Sequence, residues 1–293
     1  MTGGFSLVTV ASGARSLRSL EHGETFHPVI GPMAEARGLH VAGSRIAGRA
    51  GECERPFVIW DVGLGAAANA VATIEALAAV PLPARAELHS FDSTAAPLEF
   101  ALRHADELGY LTSWREPVVA LLKTNHAVAG NVDWHFHRCD FRESVCESRD
   151  GVCMPGRAGV PAPDAILYDP YSPESNRSMW TLDHFARLRA CLDPARPCTL
   201  TSYSRSTSVR TTLMLAGFVV GCGGATGEKD QTTVAATHRA LLARPLGPEW
   251  LARVERSTRG APLRESRNPG RISQDDLAAL RRMIPSSESR IPG

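Results

Sequence analysis

The chain has 293 residues, a hydrophobic content of 43% and a formal net charge of +1. This length allows one large domain with appendages, and the apolar content is sufficient for a proper core. No apolar run reaches the length of a membrane span, and the first residues lack the charged start and apolar core of a signal peptide. The sequence therefore argues against a membrane-spanning protein and predicts a cytoplasmic location without membrane contact.

Cysteine spacing and charge distribution add two further expectations. The seven cysteines are scattered, with none at zinc-site spacing, so we predict free thiols and no metal site.

The segment 239–293 contains eleven arginines, no lysine and six acids, which gives it a charge of +5 and leaves −4 for the rest of the chain. This basic tail could contact a polyanion, and a tail that only packs on the sheet or is disordered fits the sequence equally well.

The first fifty residues predict an extension that precedes the main fold. Alternating residues at 5–10 indicate a strand, residues 16–20 suit a hairpin partner, and a short helix is expected through Met33 to Glu35. We therefore expect three units: an extension at 1–50 that packs on the core, a main domain at 51–238, and the basic tail at 239–293.

Strands and helices alternate through the main domain. Strands are predicted at 56–61, 87–92, 133–139, 164–169 and 198–204, with helices at about 66–79, 95–108, 112–128, 179–192 and 206–216. A closing strand pair is expected at 218–222 and 231–237, a Gly- and Pro-rich surface loop at 147–163, and a tail helix at 274–283 capped by Ser273. This order is typical of an α/β, Rossmann-like fold with a mostly parallel sheet and an antiparallel edge pair.

The turn after the first strand of this pattern carries Asp61-Val-Gly63-Leu-Gly65-Ala-Ala-Ala-Asn69. Glycines at a strand-to-helix turn permit positive φ and close approach of a ligand, and the helix N-terminus that follows presents unpaired N–H groups. A strand and helix without a ligand, or a dinucleotide site, would also fit the glycine spacing. Asp-x-Gly-x-Gly after a strand resembles the first motif of class I methyltransferases, which use S-adenosyl-L-methionine (SAM).

Four predicted strands end in an aspartate, namely Asp61, Asp92, Asp140 and Asp169. Ligands bind beyond the carboxyl ends of the strands in an open α/β sheet, so these acids are expected at one site. We predict that Asp92 accepts hydrogen bonds from ribose hydroxyls, Asp140 from an adenine amine, and Asp61 from the methionine amino group, directly or through water. This acidic set favours the SAM sulfonium over a nicotinamide cofactor.

Asp169 is followed by Pro170-Tyr171-Ser172-Pro173, in which the prolines pre-shape the backbone and Tyr171 offers an aromatic face. A carboxylate here could hold an acceptor amine and receive its proton, so we predict a catalytic Asp169. A purely structural Asp169 that caps the next turn remains the alternative.

Several blocks together resemble the MnmC-like methyltransferase family. Residues Asp169-Pro-Tyr-Ser-Pro-Glu-Ser-Asn176-Arg-Ser-Met179-Trp180 are similar to the Asp-x-Phe-x-Pro-x-x-Asn-Pro-x-Met-Trp block of that family. The collinear blocks around Gly23-Glu24-Thr25-Phe26-His27, Thr201-Ser-Tyr203, Leu215-Ala-Gly-Phe218 and Gly227-Glu-Lys229 also match. Pro28, Arg177 and Asp230 depart from the pattern, and Asp230 removes a charge near a plausible RNA surface.

The resemblance implies a methyltransferase-only member with SAM as cofactor, which methylates the 5-aminomethyl group of wobble uridine 34 in tRNA. The glycine turn and the strand-end acids predict cofactor contacts at Asp61, Gly63, Gly65, Asn69, Asp92 and Asp140. Substrate contacts are expected at His27, Tyr171, Ser172, Pro173, Asn176 and Tyr203. Two rival functions stay open: methylation of another amine or small molecule, and a SAM-fold protein that binds RNA or a partner without catalysis.

Overall fold

A mixed sheet of eight strands organises the chain in the computed structural model, which describes residues 4–145, 160–225, 231–265 and 270–284. The strands are β1 Phe5–Thr9, β2 Arg15–Ser19, β3 Val58–Val62, β4 Ala86–Asp92, β5 His126–Ala129, β6 Val132–Arg138, β7 Ala165–Tyr168, β8 Thr199–Ser202, β9 Val219–Cys222 and β10 Thr233–Ala236. β1 and β2 form a separate antiparallel hairpin, and the other eight strands form the sheet in the order β5-β6-β4-β3-β7-β8-β10-β9.

Helices cover this sheet and connect its strands. They are α1 Pro32–Glu35, α2 Ala42–Ser44, α3 Ile46–Gly51, α4 Ala68–Ala78, α5 Ala96–Arg103, α6 Ala105–Leu108, α7 Arg115–Thr124, α8 Phe141–Ser144, α9 Leu182–Ala190, α10 Thr207–Leu215, α11 Pro248–Arg256 and α12 Gln274–Met283. A π-helical turn spans Ala36–Val41, between α1 and α2.

The five strands β6, β4, β3, β7 and β8 pair in parallel, which confirms the predicted α/β, Rossmann-like arrangement. The strand pair β9 and β10 closes one edge in antiparallel fashion, as predicted. Two hydrophobic clusters fill the two faces of the sheet: Ile59 and Ile74 belong to one, and Trp60 and Phe185 to the other. The sheet is therefore buried on both faces, which explains the continuous apolar run of β3.

The prediction of a helix over the whole of 112–128 is wrong at its C-terminal end. Helix α7 ends at Thr124. The next residue, Asn125, adopts a left-handed conformation with φ of 59°, and β5 begins at His126. β5 pairs with β6 through the two-residue turn Gly130-Asn131, in which Gly130 has φ of 61°. Such a Gly-Asn turn favours a hairpin, so a second antiparallel edge exists that the sequence analysis did not predict.

The N-terminal segment packs closely on the main domain. Leu17 and Ile46 are buried in the same cluster as α4, and the predicted boundary at residue 50 falls within α3. The Arg49 guanidinium donates hydrogen bonds to the carbonyl oxygens of Asp164 and Pro197, at the amino ends of β7 and β8. These contacts fix the extension against the sheet, and the division into three units stays a prediction.

The basic tail is folded onto the second face of the sheet over its described residues. Leu246 N donates to the Val220 carbonyl and the Arg244 carbonyl accepts from Cys222 N, so the tail pairs with the edge strand β9. Trp250 in α11 and Leu280 in α12 are buried in the cluster that contains Phe185. Lys229 and most of the predicted loop at 147–163 lie outside the described residues.

The cysteines depart from the prediction at one position. Cys53, Cys198 and Cys222 are free thiols, as expected. Cys191 is disulfide-bonded, so the prediction of free thiols is wrong for this residue. Spacing along the sequence does not report which cysteines the fold brings together.

Helix α12 begins where the sequence predicts, and its cap permits a measurable test. The Ser273 hydroxyl accepts a hydrogen bond from Asp276 N, whereas Ser206, at the same position of α10, makes no such side-chain bond. We expect Ser273→Ala to lower the free energy of unfolding by about 1 kcal/mol, because one N–H of the first turn loses its partner. Thermal unfolding should show a decrease in Tm of about 2–4 °C.

Ser206→Ala is the matched control for this cap. It removes a hydroxyl from the same helix position without breaking a cap bond, so we expect a smaller change in Tm. Equal decreases in the two variants would contradict the assignment of the Ser273 cap.

Candidate active site

A cavity of about 590 Å³ opens at the carboxyl ends of β3, β4 and β7. The N-terminal segment closes it from above, where Phe26 and His27 line the wall. An open parallel sheet leaves such a crevice at this edge because the connecting loops diverge there. Its volume lies in the range of small-molecule and cofactor sites.

The glycine turn after β3 forms the floor of the cavity. Gly63 has φ of 94° and Gly65 has φ of 51°, a region that residues with a side chain rarely adopt. A Cβ on Gly63 would lie 2.7 Å from the Asp169 carbonyl oxygen, and one on Gly65 would lie 3.1 Å from the Phe26 ring. The turn therefore needs glycine at Gly63 in order to pass the end of β7.

Asp92, at the end of β4, lines the same cavity. Its Oδ2 accepts from Gly65 N at 3.0 Å and its Oδ1 accepts from Thr94 N at 3.2 Å. Burial raises the pKa of Asp92, and the backbone N–H bonds from Gly65 and Thr94 act against that shift. Each carboxylate oxygen can accept more than one hydrogen bond, so the position suits the predicted ribose contact.

The affinity for SAM tests this role of Asp92. We expect Asp92→Ala to weaken SAM binding by about 1–3 kcal/mol, because ligand hydroxyls and the Gly65 N–H would lose their acceptor. Calorimetry measures the effect, with Asp133→Ala as a control, since Asp133 pairs with Arg85 outside the cavity. An affinity equal to that of the unaltered protein would remove Asp92 from the cofactor site.

Asp140 lines the cavity but is strongly engaged within the chain. It caps α8, where Oδ1 accepts from Arg142 N at 2.9 Å, and it forms an ion pair with the Arg142 guanidinium. These bonds hold the pKa of Asp140 below its usual range, since they favour the charged form. A ligand amine at this site would share the carboxylate with Arg142, a residue that the sequence analysis did not include.

Asp61 differs from the expectation because it does not line the cavity. The side chain is fully buried, and its Oδ2 accepts from the Ser90 hydroxyl at 2.8 Å. Burial raises the pKa of Asp61 to about 8, against the effect of the Ser90 hydrogen bond. The Asp61 carboxyl meets Ser90 and does not reach the cavity lining, so a contact with the methionine amino group, directly or through water, stays a prediction.

Asn69 connects the glycine turn with the end of β7. Its Nδ2 donates to Asp169 Oδ2 at 2.8 Å, while its Oδ1 is buried without a hydrogen-bond partner among the described residues. A buried amide oxygen of this kind needs a donor, and the residue lines the cavity. The ammonium group of SAM supplies N–H donors, so the unpartnered Oδ1 and the Asp92 carboxylate fit this cofactor.

Asp169 lies at the centre of a cluster of titratable groups. His27 Nε2 is 3.8 Å and His40 Nε2 is 3.9 Å from Asp169 Oδ2, and His27 Nδ1 is 3.8 Å from Glu35 Oε2. The Asp169 side chain keeps 15% of its surface exposed. His27 itself has φ of 47°, an unusual conformation for a side chain of this size, which directs its ring toward the carboxylate.

Glu24 organises the loop that carries the predicted substrate residues. It accepts from Ser172 Oγ at 2.6 Å and from Ser172 N at 3.2 Å, and also from the Ser175 hydroxyl. The Trp180 indole donates to the Tyr171 carbonyl at 2.9 Å. These bonds fix the Pro170–Asn176 loop, so the Ser172 hydroxyl is used within the chain.

The structure brings five of the six predicted substrate residues to the cavity. His27, Tyr171, Ser172, Asn176 and Tyr203 line it, and Pro173 does not. The Tyr203 hydroxyl donates to the Pro170 carbonyl at 3.2 Å and thus supports the loop. The roles of these residues toward a substrate stay predictions.

Sequence reasoning missed Glu24, Glu35, His40 and Arg142 as members of the site. Glu24 lay within a block that resembles the family, but its contact with Ser172 spans 148 positions and leaves no local signal.

The lining includes the acids Glu21, Glu24, Glu35, Asp92 and Asp169, so the cavity favours a cationic ligand. No group of three potential metal ligands occurs among the residues described here.

Comparisons with known proteins agree with this geometry. Residues 111–238 match a family model described as S-adenosyl-L-methionine-dependent methyltransferase. The bifunctional protein MnmC for tRNA 5-methylaminomethyl-2-thiouridine biosynthesis, from Burkholderia vietnamiensis, is 28% identical over 260 residues, which cover 85% of this chain and 36% of that protein. The chain therefore spans about a third of the length of this relative.

Solved structures show the same fold. MnmC2 from Aquifex aeolicus superposes with a TM-score of 0.69 at 24% identity and covers 96% of this chain and 86% of its own. Spermidine synthase from Thermotoga maritima superposes with a TM-score of 0.51 at 9% identity, over 94% of this chain and 79% of its own. At these identities, both similarities show a shared fold and nothing further.

The fold, the cavity and the family model define a SAM-dependent methyltransferase, and its cofactor is SAM. Within that class, the chain is similar to part of the bifunctional protein MnmC and shares its fold with MnmC2. None of the helices in the described ranges combines the length and apolar character needed to cross a lipid bilayer.

Proposed function

We propose that the protein methylates the 5-aminomethyl group of wobble uridine 34 in tRNA, giving the methylaminomethyl form. The observation that carries this proposal is the Asp169 carboxylate, which lies beside the glycine turn in an acidic cavity and is held by Asn69. The MnmC relative acts in tRNA modification according to its name, and the blocks around Asp169 resemble that family. We propose a cytoplasmic location, in keeping with a tRNA substrate. We also propose a main methyltransferase domain at 51–238, whose cavity the N-terminal extension completes with Phe26 and His27.

The residues of the cavity have distinct parts in this reaction. Asp169 attracts the acceptor ammonium and takes one proton from it, so that the nitrogen lone pair becomes free. Tyr171 and His27 line the cavity near this carboxylate and confine the acceptor. SAM supplies the methyl group, and Gly63, Gly65, Asn69, Asp92 and Asp140 are the residues that would hold it. Catalysis is then mostly positioning, with additional help from the base.

Nucleoside mass spectrometry tests the function directly. The full-length protein is incubated with SAM and tRNA that carries 5-aminomethyl uridine, and the nucleosides are analysed for a gain of one methyl group. We expect methylaminomethyl uridine from this tRNA and no product from tRNA without the aminomethyl group. Absence of product with active SAM binding would contradict the proposal and favour the binding protein without catalysis.

A second candidate is methylation of a small cationic amine. The acids of the cavity favour such a ligand, and Arg18 and Arg142 are the arginines that line it among the described residues. Adding a polyamine to the same assay distinguishes the candidates, because methylated polyamine without methylated tRNA would support the second one.

The basic tail provides a test of tRNA binding. Arg253 and Arg256 lie exposed on α11. We expect Arg253→Glu with Arg256→Glu to weaken tRNA binding and to reduce the slope of log K against log salt, by about 1 for each phosphate that the protein no longer neutralises. Affinity for SAM should not change, because both residues lie outside the cavity.

Substitution is preferable to truncation in this test, because removal of 239–293 would also remove the packing of Trp250 and Leu280. Arg85→Glu is a control outside the tail, because Arg85 is exposed and pairs with Asp133. An unchanged salt slope in the tail variant would favour a tail that only packs on the sheet.

A further inference from the structure

His40 is a buried titratable residue that neither the sequence analysis nor the proposed mechanism uses. It lies in the π-helical turn Ala36–Val41 and has no exposed surface. π-helical turns are rare and often occur at functional sites. The ring of His40 is therefore held at a defined position behind the cavity wall.

Both ring nitrogens of His40 have defined neighbours. Nδ1 is 2.8 Å from Thr201 Oγ1 in β8, and Nε2 is 3.9 Å from Asp169 Oδ2. Nε2 is buried and has no hydrogen-bond partner among the described residues. The structure thus aligns a hydroxyl, an imidazole and a carboxylate from three separate segments of the chain.

The carboxylate determines which nitrogen carries the hydrogen. A lone pair on Nε2 would face the negative oxygen of Asp169, whereas an N–H there is attracted to it. The Thr201 hydroxyl then donates to Nδ1 at 2.8 Å in preference to the Ile166 carbonyl, which lies 3.4 Å away. Burial lowers the pKa of His40 to about 3, and the neighbouring His27 acts in the same direction, so the ring stays neutral and offers one N–H donor.

We propose that His40 is a positioning residue that donates its Nε2–H to Asp169 Oδ2 when the acceptor is bound. The inference rests on the proposed role of Asp169 as the group that takes the proton. Asn69 Nδ2 already holds Oδ2 at 2.8 Å, so a second donor on the same oxygen fixes the orientation of the carboxylate toward the acceptor amine. Catalytic hydrogen bonds are often long before the substrate binds and shorten in the complex. The distance of 3.9 Å between His40 Nε2 and Asp169 Oδ2 must shorten in this way for the bond to form.

Other charged groups also face Asp169 and are unchanged in the test. Among them are Asp61 from β3 and His27 from the N-terminal segment, and the Tyr203 phenol after β8 also lies near Asp169. His27 also faces His40. A variant of His40 therefore isolates one donor within a fixed background.

The experiment compares His40→Leu with His40→Gln. Gln retains an N–H near the place of Nε2 and cannot carry a charge, while Leu retains neither. A donor stabilises the charged carboxylate, so its loss should raise the titration midpoint of the Asp169 carboxyl by about one pH unit. We expect this rise in His40→Leu, and a midpoint close to the original in His40→Gln.

Two readouts separate this inference from the proposed function. Carbon NMR of labelled aspartate follows the Asp169 titration in the full chain without substrate, and needs no activity. Single-turnover methyl transfer across pH should show the acid limb at higher pH in His40→Leu. A tRNA that is never methylated would contradict the proposed function, and the NMR titration would still test His40.

Controls guard against loss of folding. His184→Leu removes another fully buried histidine, which does not line the cavity, and should leave the Asp169 titration unchanged. If His40→Leu does not fold, Thr201→Val loosens the ring from Nδ1 and should shift the midpoint in the same direction. Unchanged titration in folded His40→Leu or in folded Thr201→Val, or equal shifts for His40→Gln and His40→Leu, would overturn the inference.

Discussion

Asp169→Asn should fold, bind SAM at most moderately less well, and lose most of its turnover. Asparagine keeps the size of the side chain, and its amide oxygen can still accept from Asn69 Nδ2, which lies 2.8 Å from Asp169 Oδ2. It cannot accept a proton from the acceptor ammonium. Loss of a general base usually lowers the rate by about a hundredfold to ten-thousandfold, and we expect a decrease of this order in single-turnover methyl transfer.

The remaining activity of Asp169→Asn should rise with pH. The acceptor is mostly protonated near neutral pH, so the variant depends on neutral amine from solution. Raising the pH supplies more of this form and should partly rescue Asp169→Asn, whereas the unaltered protein should need no such rescue.

Asp164→Asn is the control. Asp164 lies just before β7, whereas Asp169 lies just after it, and Asp164 pairs with Arg55. We expect it to lower stability without reducing turnover per folded molecule. Unreduced rates in Asp169→Asn would exclude a catalytic part for this carboxylate, and a loss that follows SAM affinity alone would assign it to the cofactor site.

Much of the sheet could be predicted because its signals are local. The apolar run of β3, the glycine turn after it and the aspartates at the strand ends all lie within short segments. The carboxyl ends of parallel strands meet at one edge, so Asp92, Asp140 and Asp169 could be grouped in advance. Their position at one cavity follows from topology rather than from any property of the single residues.

The orientation of side chains could not be predicted in the same way. Asp61 precedes the glycine turn, but the alternation of β3 directs it into the packing, where Ser90 meets it. Similarly, the residues of β5 continue an apolar pattern that resembles a helix, and only the left-handed Asn125 after α7 and the turn at Gly130 mark them as a separate strand. Both features depend on contacts with neighbouring strands.

Long-range contacts account for the rest of the site. The Glu24 clamp on Ser172 and the approach of His40 to Asp169 each join segments that are more than a hundred residues apart. Buried polar residues such as His40 and Asn69 resemble ordinary core or helix residues in the sequence. Only the fold shows that His40 Nε2 and Asn69 Nδ2 lie beside the Asp169 carboxylate.

Gly63→Ala should abolish SAM binding and methyl transfer together, because the added Cβ would lie 2.7 Å from the Asp169 carbonyl oxygen. The backbone of β7 would have to move, and that movement would displace Asp169 and the glycine turn at once. Gly13→Ala is the matched control: Gly13 has φ of 85°, close to the 94° of Gly63, and a Cβ there has no neighbour within 4 Å. Both variants carry the strain of positive φ, about 1–3 kcal/mol, so their unfolding free energies separate strain from steric contact. We expect calorimetry to show undiminished SAM affinity in Gly13→Ala and none measurable in Gly63→Ala. Binding by a folded Gly63→Ala protein with ordinary affinity would mean that the turn can yield without loss of the cofactor site.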